Sequence, residues 1–255
     1  MAEKSRFNGE VSLVTGAGSG IGAAIARRLA ADGSTVVVTD IDLDAATKVA
    51  KEIEDAGGEA IALKLDATSK EDNEAAVAET VERFGALHHA VNNAGITPKP
   101  ARVGETDLDN WDKVIDLNLN AVAYGLHYQL KQMVTQDDPS KASIVTMSSI
   151  HGQTAVPGAA AYTTAKHGVV GLTKNAAAEY GKEGIRINAL APGYVDTPLL
   201  KDLDDDRRES LIAKHPLGRL ATADEVAAFT SFLLSDEASF STGGYYLLDG
   251  GYNAV

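Results

Sequence analysis

Short apolar runs rich in β-branched residues alternate with segments of helical period along the whole chain. Val11-Ser12-Leu13-Val14-Thr15 reads as a strand, and Ile25, Ala26 and Leu29 place a helix after it. Thr35-Val36-Val37-Val38-Thr39 is a second strand, bounded by Gly33 and Asp40. The pattern then predicts a helix over 45–53, a strand over 60–63, a helix over 74–84 and a strand over 89–91. One long helical stretch covers 108–134. Strands follow at 143–147 and 185–190, with a helix carrying Tyr162 between them. A helix over 223–234 and a strand over 245–248 complete the series.

Strands of this kind carry few charges, so both of their faces are buried. That predicts an α/β fold: a doubly wound, Rossmann-like parallel sheet of about seven strands, with helices on both faces. No linker, repeat or low-complexity tract divides residues 1–255, so a single domain is expected. The polar excursion at 196–216 contains Asp204-Asp205-Asp206-Arg207-Arg208 and reads as a substrate lid.

Composition narrows the function. The 255 residues are 44% hydrophobic and 23% charged, without a stretch long enough to span a membrane and without an apolar signal core at the N-terminus. A soluble cytoplasmic protein is expected. With no cysteine, disulfides, thiolate ligands and cysteine nucleophiles are excluded together. A net charge of −13 opposes nucleic-acid binding and reads as solubility. His88, His89, His127, His167 and His215 show no metal-ligand spacing.

The candidate chemistry sits at strand ends. Thr15-Gly16-Ala17-Gly18-Ser19-Gly20-Ile21-Gly22 joins the first strand to the first helix, where glycines let the backbone approach an anion at the helix N-terminus. No Lys-Ser or Lys-Thr follows, so this is not a Walker loop; GxxxGxG through Gly16, Gly20 and Gly22 describes it, and a plain glycine turn is the competing reading. Asp40, 20 residues after Gly20, is placed to accept from an adenosine ribose and to repel a 2′-phosphate; a helix cap is its alternative. Ser19 stands where a basic residue would help to bind that phosphate. Both favour NAD(H) over NADP(H). Asp66 is a weaker candidate for the adenine edge, with a turn residue as its alternative. Tyr162 and Lys166, one helical turn apart, pair a phenol with a cation that would draw its pKa toward neutrality.

Taken together, the chain resembles the short-chain dehydrogenase/reductase family over essentially its whole length. The residues that carry the likeness are Thr15-Gly16-xxx-Gly20-Ile21-Gly22, Asn92-Asn93-Ala94-Gly95, Asn118, Ser149, Tyr162-xxx-Lys166 and Pro192-Gly193. The resemblance implies an NAD(H)-dependent oxidoreductase acting on a small secondary alcohol or ketone. Tyr162 would exchange a proton with the substrate oxygen. Lys166 would lower the Tyr162 pKa and hold the nicotinamide ribose. Ser149 would hydrogen-bond the reacting oxygen, and Asn118 would help to hold a water linking Lys166 to solvent. The cofactor-binding set is Gly16, Ser19, Gly20, Ile21, Asp40, Asp66, Ala67, Asn93, Ala94, Gly95, Tyr162, Lys166, Pro192, Gly193, Val195 and Thr197. Ser149, His151, Tyr162 and Tyr194 would line the substrate pocket, with Ile150, Val156 and Leu199 giving it an apolar character.

In the related 3-hydroxybutyrate dehydrogenases a histidine at the His151 offset helps to bind a carboxylate. This chain has Ala159 and Thr97 where those enzymes carry a lysine and a glutamine, which puts a small hydroxy acid in doubt. A 3-oxoacyl-carrier-protein reductase and a non-catalytic NAD sensor are the other readings. The family usually forms homotetramers through the helix near Asn118 and the Tyr162 helix.

Overall fold

The computed structural model describes residues 6–200 and 204–254; Leu199, one of the expected pocket residues, has its side chain outside the description, as do positions 201–203 of the expected lid. A seven-stranded parallel sheet runs in the order β3 (Glu59–Lys64), β2 (Thr35–Asp40), β1 (Val11–Thr15), β4 (His89–Asn92), β5 (Ser143–Met147), β6 (Arg186–Pro192) and β9 (Tyr245–Leu248). The chain winds outward from β1 to β3, then returns to place β4 on the other side of β1. That reversal opens a crevice at the carboxyl ends of β1 and β4, the usual ligand position in such sheets.

Helices cover both faces. On one face α1 (Gly20–Ala31), α2 (Leu43–Asp55) and α8 (Ala223–Leu234) bury Ile25, Leu29, Val49, Ile53, Val226 and Leu233 against Val14, Val38 and Val145. On the other face α3 (Lys70–Phe84), α5 (Ala121–Met133) and α6 (Ala160–Tyr180) bury Val77, Leu126, Leu130, Met133 and Val169 against Leu13, Ile144 and Ile187. Ser69 caps α3 by accepting from the Asp72 N–H, and a Thr222–Glu225 capping box starts α8.

Two segments differ from the sequence pattern. The predicted helix over 108–134 is α4 (Leu108–Ile115) and α5, joined by a π turn at Asp116–Asn120. Asn118 lies in that turn, and its Nδ2 donates to the carbonyl of Val114, four residues back, at 3.0 Å. A side chain that takes this acceptor competes with the backbone ladder, and the helix widens there. The polar excursion is also ordered in its described part. β7 (Val195–Asp196) pairs with β8 (Ala221–Thr222), and Arg208 on α7 (Asp205–Ile212) grips Asp196 with two hydrogen bonds of 2.6 and 3.1 Å.

Candidate active site

The glycine turn and three other segments converge on the crevice. Gly16 has φ of +63°, which an L side chain rarely adopts, and a Cβ there would stand 2.9 Å from the Ala94 Cα. Thr15 Oγ1 accepts from the Asn93 and Ala94 N–H groups at 3.0 and 3.1 Å, and Asn93 Nδ2 donates to the Thr15 and Gly16 carbonyls. A Cβ on Gly95 would stand 2.6 Å from Asn118 Oδ1, and one on Gly20 would stand 3.9 Å from Thr197. Two close approaches that only glycine permits thus shape this cradle. Ser19, at the N-cap of α1, makes no capping bond with its side chain, so the first-turn N–H groups lack that partner. Such a helix start suits an anion, and the cradle fits a dinucleotide. Ile21 packs beside the core under it.

The carboxylates divide. Asp40 Oδ2 accepts from the Gly18 N–H at 2.9 Å and Oδ1 from the Asp42 N–H at 3.0 Å, which fixes a negative charge beside the turn. Asp66 instead accepts from the Thr68 N–H and hydroxyl through Oδ1, at 2.9 and 2.7 Å, so this oxygen serves the turn after β3. Ala67 follows it, buried, and lines a small cavity with Thr15, Asn92 and Ala94. Across the crevice, the Gly193 N–H donates to Leu248, Pro192 closes β6, and Val195 is buried in β7.

The four expected catalytic residues come from three elements. Ser149 follows β5, Tyr162 and Lys166 lie on α6, and Asn118 comes from the π turn. Ser148 spends its hydroxyl on the Lys166 carbonyl, while Ser149 acts on the Tyr162 phenol and favours its ionised form. Lys166 is buried, and its Nζ donates to the Met147 carbonyl at 2.7 Å. Asn118 donates from Nδ2 to Ile96 as well as Val114, and its Oδ1 is the buried side-chain N or O atom left without a partner among the described residues. An orphaned acceptor at that depth calls for a water or a cation.

Electrostatics departs from the simple expectation for Tyr162. Burial pushes the phenol up to about 12; Ser149 pulls it down, and nearby Tyr194 adds to the rise. Lys166 does not draw it down, because its ammonium sits 5.4 Å from the ring centroid and is turned to Met147. Burial brings Lys166 itself down to about 8. His151 falls to about 4 through burial and the positive Lys166, His167 and Lys214. Its ring stands edge-on to Tyr162, with centroids 5.0 Å apart.

Ile150 is buried and Val156 partly so. Tyr194 packs on His215 and Tyr252 at 5.8 and 6.1 Å. Sequence reasoning missed Tyr245, whose hydroxyl donates to the Ser149 carbonyl at 2.7 Å and so steadies the serine turn. Its place in a predicted final strand offered no signal of that contact.

The sheet order, the glycine cradle at the switch point and the adjacent Ser–Tyr–Lys group define a doubly wound, nucleotide-binding α/β protein. A family model described as "Enoyl-(Acyl carrier protein) reductase" matches residues 16–253. The cyclohexanol dehydrogenase of Acinetobacter sp. (strain SE19) is 46% identical over 250 residues, covering 98% of this chain and 97% of the relative. The cis-4-hydroxycyclohexanecarboxylate dehydrogenase of Sinomonas cyclohexanicum is 42% identical, covering 98% of each. The crystal structure of gox2181 superposes with a TM-score of 0.94 at 31% identity, over 99% of this chain and 98% of that one. The chain belongs to the short-chain dehydrogenase/reductase family, whose dehydrogenases use nicotinamide cofactors.

Proposed function

We propose that the protein is an NAD(H)-dependent oxidoreductase that interconverts a cyclic secondary alcohol and its ketone. The observation that carries this reading is the meeting of three side chains: Ser149 just after β5, Tyr162 on α6, and a buried Lys166 on the next turn of that helix. Relatives named for cyclohexane alcohols support the substrate class. Asp40 supports NAD(H), since its fixed charge repels a 2′-phosphate.

Gly16, Gly20, Ile21, Asn93, Ala94, Gly95, Pro192, Gly193, Val195 and Thr197 would hold the dinucleotide, with Asp40 at the adenosine ribose and Lys166 at the nicotinamide ribose. When bound, the nicotinamide supplies a hydride acceptor or donor. The chain's own residues handle the proton. In reduction, the neutral Tyr162 phenol donates to the oxygen that gains negative charge, and the Ser149 hydroxyl donates a second hydrogen bond to it. Lys166, with its pKa near 8, exchanges protons close to neutral pH, and Asn118 Oδ1 is an acceptor for a water that links it to solvent. Oxidation runs the same groups in reverse. We take residues 196–216 as the substrate cover, and the protein as a cytoplasmic homotetramer joined through α4, α5 and α6.

Mixing protein, NAD and cyclohexanol is expected to raise NADH absorbance. Tyr162→Phe should lower kcat by about 10²–10⁴ while leaving NADH fluorescence binding intact; a variant at full rate overturns the proton role. A relative named as a 3-oxoacyl-[acyl-carrier-protein] reductase supports one other reading, reduction of a 3-oxoacyl group on a carrier protein. Preference for NADPH and an acyl-carrier substrate would select it.

A further inference from the structure

His151 and Thr163 form a pair that the proton-transfer chemistry does not use. The His151 turn (Ile150–Gly152) and the first turn of α6 are brought together so that His151 Nδ1 and Thr163 Oγ1 stand 3.0 Å apart. The Thr163 N–H donates to Ala159, so the residue is held by backbone as well. Its hydroxyl has no other hydrogen-bond partner among the described residues. In this half-buried contact a hydroxyl proton without an acceptor is costly, which favours Thr163 O–H donating to Nδ1. The imidazole proton then resides on Nε2. That atom has no protein partner, yet it is not among the sealed, unpartnered atoms of the described residues. It remains within reach of a ligand lying beside the Tyr162 ring, on which His151 stands edge-on.

We infer that Thr163 is a positioning residue: it fixes the tautomer of His151 so that Nε2–H donates to a second, uncharged oxygen of the substrate. The inference rests on the reading of this site as an alcohol dehydrogenase and adds the substrate class, a cyclic diol or hydroxyketone. Burial and the positive field of Lys166, His167 and Lys214 keep the ring neutral, so it offers a carboxylate no ion pair.

Two measurements test this on the full-length protein. In steady-state kinetics with cyclohexanol, the isomeric cyclohexanediols and 4-hydroxycyclohexanecarboxylate, Thr163→Val should raise KM for at least one diol about fivefold to tenfold. Its kcat, and KM for cyclohexanol, should stay within about twofold, and Thr163→Ser should restore the diol KM. An equal rise for cyclohexanol and the diols, or no rise at all, overturns the inference. In ¹⁵N histidine spectra at neutral pH, the ring assigned to His151 should be the Nε2–H tautomer and should lose that uniformity in Thr163→Val. An Nδ1–H ring in the wild type overturns the inference even if no alcohol is turned over, an outcome that would separately sink the functional reading.

Discussion

The Asp40 carboxylate accepts a hydrogen bond from the Gly18 N–H at 2.9 Å, joining the end of β2 to the glycine turn. A Cβ on Gly18 would stand 2.9 Å from that same oxygen, so the glycine is where the carboxylate needs room. Turn geometry therefore depends on the same carboxylate to which the proposed function assigns cofactor choice.

Removing that charge should loosen the cofactor preference. Asp40→Ala is expected to raise the ratio of kcat/KM for NADPH over NADH by about tenfold or more, the scale of one charge-assisted hydrogen bond exchanged for a relieved repulsion. Adding Ser19→Arg should raise it further. Paired kinetics with both cofactors measures the ratio, and an unchanged ratio in both variants removes Asp40 from the explanation.

His151 should make the protein acid-sensitive. Its folded pKa, about 4, lies below the ordinary 6.5 because burial and nearby cations disfavour the imidazolium. Between those values the unfolded chain binds a proton that the folded chain refuses, so stability rises with pH across that window and falls as pH drops through it. The contribution is at most about 3 kcal/mol from the size of the shift. Urea midpoints measured from pH 4 to 7 should fall toward acid in the wild type, and His151→Phe should flatten that slope.

Much of this architecture is legible in the sequence. The β-branched runs mark the strands, and the helix over 223–234 and the strand over 245–248 lie where the pattern puts them. Glycines and asparagines that meet at the crevice are also visible as motifs. The misreadings share a cause: they depend on contacts between distant segments. Periodicity could not see the π turn, which follows from Asn118 reaching both Val114 and Ile96. Helical spacing put Lys166 beside Tyr162 but could not show that its ammonium turns to Met147 or that burial, not the cation, sets the phenol. Tyr245 reaches Ser149 only because β9 pairs with β6.

Arg186 is expected to be a major stabilising side chain outside the site. Its Nη1 donates to Leu233 and Ala238, and its Nη2 to Leu234 and Ser235, at 2.7–3.2 Å. The guanidinium thus satisfies carbonyls that α8 leaves open at its C-terminus, where a cation also suits the helix dipole. Arg186→Met should cost about 2–4 kcal/mol, since it strands several buried acceptors. Arg186→Lys keeps the charge without the fork and should cost less. Thermal unfolding should show Tm lower by roughly 5–10 °C for the methionine variant, with NADH affinity little changed.

Lys166 should trade stability for function. Its ammonium is buried and donates to the Met147 carbonyl, and burial lowers its pKa from 10.5 to about 8. Between these values the unfolded chain holds a proton that the folded chain has released, so stability rises with pH from about 8 to 10.5. Tyr162 acts with the opposite sign: its raised pKa keeps the folded phenol protonated while the unfolded one ionises above pH 10, which lowers stability there. Below pH 8 the buried cation costs about 3 kcal/mol. Lys166→Met should therefore flatten the rise between pH 8 and 10 in chemical denaturation. The same variant should lose kcat by about a hundredfold or more and bind NADH more weakly, because the proposed function gives one side chain both proton exchange and ribose binding. Titration of NADH fluorescence decides the second role: unchanged affinity in Lys166→Met would leave the lysine with the proton alone.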